Sequence, residues 1–140
     1  MNIIHTHPVT VPHCLRIFTL NQVPSFALVD GMAILSLPSE AYVDGQDAVP
    51  GSLDVSDTPG DTNIYQKTYS FRLRGVTAKR TRALTSLKMQ GCIMEYIDES
   101  GNKRIGGSRD WPLYFSFHIA DGAYHCILTG QGTEQDPFLI

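Results

Sequence analysis

The stretch PLYFSFHIADGAYHCILTG, residues 112–130, decides the fold. Asp121-Gly122 is a two-residue loop of the kind whose twist matches a pair of antiparallel strands, because both positions accept a positive φ. Placing the turn there makes Phe115, Phe117 and Ile119 oppose Leu128, Cys126 and Tyr124, a wholly apolar face. The other face pairs Tyr114, Ser116 and His118 with Thr129, Ile127 and His125. A slip of one residue would turn the apolar set into water, so pattern and turn specify one register.

Working upstream, DESGNKRIGGSRDWPLYF (residues 98–115) sets three basic side chains around a double glycine. A phosphate-binding loop needs its glycines to open a helix, so that N–H groups and the helix dipole face the anion. Here Pro112 starts a strand instead, so Ser100-Gly101-Asn102 reads as a hairpin turn and Gly106-Gly107 as a bend. Lys103, Arg104 and Arg109 are then expected in solvent, and Trp111 is left in need of a partner. Before this lies CIMEYID (residues 92–98), a strand.

The run VTAKRTRALTSLKMQG (residues 76–91) puts Val76, Arg80, Ala83, Leu84 and Leu87 on one helical stripe, with Gly91 at the position of a left-handed C-terminal cap. It is the one helix expected. From Ile64 to Arg74 the period is two, with Tyr65, Tyr69, Phe71 and Leu73 on one face and Lys67 interrupting that face near its start.

Residues 38–63 change character. They hold Glu40, Asp44, Asp47, Asp54, Asp57 and Asp61 with no Lys or Arg, and prolines and glycines throughout, which predicts a long acidic loop. Further back, SFALVDGMAILS (residues 25–36) is a second Asp-Gly hairpin, pairing Val29 with Met32, Ala27 with Ile34 and Phe26 with Leu35. Both of its faces are apolar, which suits the middle of a sandwich or a subunit contact. His13 to Leu20 reads as the first strand.

A chain of 140 residues, 42% hydrophobic, suits one domain with a core that needs neither disulfide nor metal. Eleven basic against 14 acidic residues give a net charge of −3, which argues against a surface built for nucleic acid or anionic lipid. The N-terminus lacks a basic region followed by an apolar run, so neither signal peptide nor membrane span is read, and a cytoplasmic protein is expected. The three cysteines, Cys14, Cys92 and Cys126, have no paired spacing and read as reduced thiols, the latter two filling core.

Nucleotide-binding, nucleophile-elbow, CxxC and EF-hand patterns are all missing, and no cofactor is implied. The basic run RLRGVTAKRTRALTSLK (residues 72–88) carries Arg72, Arg74, Arg80 and Arg82 without an acidic neighbour or an aromatic platform, so single-stranded nucleic acid is not its expected partner. One segment wholly acidic and the next wholly basic points instead to charge pairing between neighbouring copies.

IIHTHP (residues 3–8) resembles the metal-binding run of the JAMM metalloproteases, where two histidines so spaced hold zinc. The likeness ends there, because no Glu precedes His5, and Leu15 and Phe18 stand where that family has serine and aspartate. His118 and His125 are cross-strand neighbours in the register above, but a metal site needs a further ligand.

The C-terminal half, from Gly91 to Ile140, with DESGNKRIGGS, then PLYFSF, then DGAYHCILTGQG and a proline-containing tail, is similar to small proteins of prophage structural modules of Bacteroidetes type. The resemblance implies a tail, tube or head-to-tail connector component, a β sandwich or barrel with a helix, assembled in rings, and a virion-associated location. The expected fold is thus mostly β, an antiparallel sandwich or barrel of about eight strands with one flanking helix. The expected function is non-enzymatic assembly into homo-oligomers. Its contacts are Phe26, Leu28, Met32 and Ile34 on the hairpin, and Asp54, Asp57 and Asp61 against Arg72, Arg74, Arg80 and Arg82. The alternative is a small-molecule or carbohydrate-binding domain using Trp111, Tyr114, His118 and His125.

Overall fold

The computed structural model describes residues 5–9, 15–60 and 64–139. Twelve strands and one α-helix are seen in it: β1 (His5–Val9), β2 (Leu15–Thr19), β3 (Ala27–Val29), β4 (Met32–Ile34), β5 (Val43–Asp44), β6 (Leu53–Pro59), β7 (Tyr65–Leu73), α1 (Ala78–Leu87), β8 (Gly91–Ile97), β9 (Lys103–Gly106), β10 (Leu113–Ala120), β11 (Ala123–Gly132) and β12 (Phe138–Leu139). The protein is a mostly β sandwich with one flanking helix. The strand order is β1-β6-β7-β11-β10-β8-β9-β12-β4-β3, with β2 lying on β8 and β5 on β2. Pairing is antiparallel except between β12 and β4, which run parallel, so the sheet is mixed.

The β10–β11 hairpin has the register that the Asp-Gly turn dictates, from Tyr114 opposite Thr129 to Ala120 opposite Ala123. Asp121 and Gly122 both take positive φ, as do Asp30 and Gly31 in the shorter hairpin. Strand β8 is the junction of the fold. It pairs along its length with β2, while its other edge takes β10 at Gly91 and Cys92 and β9 from Met94 to Ile97. Both of its edges are therefore paired, and residues 92–96 are buried on both faces, as its nearly unbroken apolar run requires. Cys92, Met94 and Tyr96 enter the main core with Leu15, Tyr69, Phe115 and Leu128, whereas Ile93 joins Phe18 and Val23 beneath residues 35–41.

Helix α1 is capped by Thr77, whose hydroxyl accepts from Arg80 N–H, and it docks through Leu84 and Leu87. Of the expected stripe only those two are buried; Val76 precedes the helix and is exposed. The helix closes at Lys88 in right-handed geometry, and Gly91 is not its cap. Gly91 opens β8 instead, where a Cβ would lie 2.9 Å from the Pro112 ring.

The acidic stretch 38–63 is not one long loop. It contains β5, a 3-10 turn at Gly45–Asp47 and the seven-residue β6, which pairs with β1 on one side and β7 on the other. Leu53 and Val55 point into the core at period two, Asp54 takes an exposed position between them, Asp57 is half-buried opposite Lys67, and Pro59 ends the strand. Of the expected first strand the described residues form β2 from Leu15 to Thr19, with Leu20 opening a 3-10 turn, and β1 precedes it. His13, Cys14 and Asp61, and the side chains of His5 and His7, lie outside the described residues.

Candidate functional site

Among the described residues the hairpin β3–β4 closes one end of the sheet, with β3 paired on one side only. Direct pairing puts Val29, Met32 and Phe138 in one row across β3, β4 and β12, and Ala27 beside Ile34 in the next. The hairpin is therefore not buried on both sides in mid-sandwich: Ala33 alone of its strand residues is buried. Leu28 is 48% exposed, Val29 51%, Ile34 49%, and Met32 and Phe138 38% each. These large apolar side chains lie clustered beside a strand edge whose N–H and C=O groups have no strand partner among the described residues. Phe26 is half-buried, and with Leu28 and Trp111 it lines a small pocket of about 80 Å³ on the other side of the hairpin.

What holds this hairpin is the C-terminal strand β12, wedged between β4 and β9. Just before it, Asp136 is buried beneath the sheet. Lys67 Nζ donates to Asp136 Oδ1 at 2.6 Å, and the hydroxyls of Tyr69 and Tyr96 both donate to Oδ2 at 2.6 Å. Lys67, the residue that interrupts the apolar face of β7, is buried because this carboxylate meets it. Burial, then the Asp136 charge, push the Tyr69 and Tyr96 phenols far above their ordinary range. The phenols therefore stay protonated as donors, and three donors occupy the carboxylate. This arrangement is a clamp, not an acid–base pair.

Arg104 completes it. Its Nη1 donates to the Asp136 carbonyl, its Nε to Asp98 Oδ2, and its guanidinium lies 4.0 Å from the centre of the Phe138 ring. Arg104 is thus not a solvated residue, and neither is Arg109, which donates to the carbonyls of Leu20 and Val23. The reason is shared: each guanidinium, with several donors in one fork, bonds backbone carbonyls brought near it by the fold. Burial opposes ionisation of Asp98, but the Arg104 bond and the N–H groups of Asn102 and Ser100 hold its pKa below the ordinary value.

Asp54 and Asp57 lie on β6, and Asp54 is exposed on the same face as Arg72 of β7, which stands two residues beyond its direct partner Ser70. Arg74 and Arg82 are exposed, and Arg80 Nη1 donates to the Arg74 carbonyl. The acidic and basic runs thus adjoin within one copy. His118 and His125 stack with ring centres 5.0 Å apart, but the third residue of their row is Arg72, a cation where a ligand would be needed. Among the described residues no group of three or more His, Cys, Asp or Glu side chains is placed to hold a metal ion. Trp111 and Tyr114 share a groove that the histidines do not reach, since His118 stands four residues, roughly 13 Å, along β10.

Sequence reasoning missed Asp136. The signal was Lys67, because a lysine on an inward face calls for a buried counter-charge. No protein-family model matches the chain, and neither a curated protein nor a solved structure does so. No helix among the described residues is long and apolar enough to cross a membrane.

Proposed function

We propose that this chain is a non-enzymatic structural protein that assembles with copies of itself, of the kind found in prophage tail, tube or connector modules. The observation that carries the reading is the row Val29–Met32–Phe138, with Ile34 beside it, exposed at an open strand edge. An isolated hairpin is marginal in water, and this one is tied down by β12 rather than by a core of its own. A second copy would cover the apolar row and satisfy the β3 edge by strand addition. The C-terminal resemblance supports the same class.

Light scattering coupled to size-exclusion chromatography tests this. The expected result is an oligomer at about 100 μM that becomes a monomer in the variant Val29→Asp/Met32→Asp, with association weakened at least ~100-fold, about 2.7 kcal/mol. A monomeric parent at that concentration, or a double variant that still associates, would overturn the reading.

A further inference from the structure

The structure holds a second surface, which shares no residue with the apolar row of Val29, Met32, Ile34 and Phe138. A groove of about 520 Å³ runs across β10, β11 and β7 at the end of the sheet where Trp111 enters β10. Its rows follow from the register: Tyr114, Thr129 and Thr68 lie side by side, and Gln131 and Gln66 form the next pair. We propose that this groove binds a neutral oligosaccharide of pyranose units.

Three features of its chemistry carry the assignment. An indole and a phenol stand at one wall, Tyr114 being 55% exposed, and aromatic faces of this kind present an apolar platform to the C–H face of a sugar ring while keeping a polar tip wet. Beside them on the same sheet face, two hydroxyls and two primary amides offer both donors and acceptors, which is what a ring of sugar hydroxyls needs. Finally, the groove presents no cationic head: Lys67 contributes to its floor, but its Nζ is turned to Asp136 beneath the sheet. An anionic ligand therefore has no counter-charge there. Asp110 is the only carboxylate among the lining residues, and hydrolysis of a glycoside ordinarily needs two, so the groove binds sugar without cleaving it. Its volume lies in the range of small-ligand sites.

Trp111 is the single tryptophan of the chain and lines both this groove and the small pocket with Phe26 and Leu28, so the Tyr114→Ala variant assigns an emission change to the groove. Maltohexaose, cellohexaose and chitohexaose would each be titrated to ~10 mM, since an open, wet groove binds with dissociation constants of about 0.1–1 mM. The expected result is a saturable change in emission with at least one of them, weakened at least tenfold in Tyr114→Ala and in Gln131→Ala. Both residues are exposed, and circular dichroism would verify that the variants fold. Calorimetry on Trp111→Ala, which removes the probe, should show no heat with the same sugar. No saturable response to any of the three hexaoses would overturn the proposal, as would affinity unchanged in both exposed variants. Neither outcome touches the oligomeric state, so this site and the assembly face stand or fall separately.

Discussion

Removing the Asp136 carboxylate would leave Lys67 buried without its counter-charge and two phenols without an acceptor. Breaking a buried pair from one side costs about 3–5 kcal/mol, whereas replacing both members with apolar residues of similar size is often neutral. Asp136→Ala is therefore expected to shift urea unfolding by that amount, and Lys67→Met/Asp136→Leu to recover much of it. The tyrosines give the cluster a pH signature. Their folded pKa values lie above the ordinary 10.0, so the unfolded chain loses protons first as pH rises. The stability they contribute is complete below about pH 10 and is lost above it. Absorbance at alkaline pH should show Tyr69 and Tyr96 ionising only as the protein unfolds. An early, reversible titration of both would show that they are not held as donors.

At the scale of elements, β9 and β12 depend on a glycine for a reason that turn rules do not supply. Gly106 was read with Gly107 as a bend, and Gly107 does take a positive φ, of 84°. Gly106, however, is the last residue of β9, paired with Met94, and a Cβ on it would lie 2.5 Å from the Tyr69 hydroxyl. Gly106→Ala is expected to push Tyr69 off Asp136 and to destabilise by about 1–3 kcal/mol, the usual cost of overfilling a core. Hydrogen exchange should then show β12 and β4 losing protection before β7 and β11. Equal loss across all four strands would mean that Asp136 does not tie the C-terminal strand to the hairpin.

For the whole molecule, two forces could bring copies together, and salt separates them. Ionic contacts among Asp54, Arg72, Arg74 and Arg82 would weaken between low and physiological salt, where the screening length shortens to about 8 Å. An apolar contact through Val29, Met32, Ile34 and Phe138 would hold or strengthen. We expect the oligomer to persist as salt rises; dissociation by light scattering over that range would move the interface to the charged strands. As for what was legible, local chemistry wrote the two Asp-Gly hairpins, the Asp98–Asn102 turn, the helix and the β7 face into the sequence, because each depends on residues near one another in the chain. Three things were decided by tertiary structure. Strand β6 forms because β1 and β7 flank it, overriding a proline-rich and acidic composition. The β3–β4 hairpin is exposed because it falls at the end of the sheet, which strand order fixes and periodicity does not. Lys67 and Asp136 meet across 69 positions, and no pattern along the chain records a pair so distant. Short-range turn and face chemistry determined the pieces; long-range pairing alone chose which apolar surface was left open and which charge was taken inside.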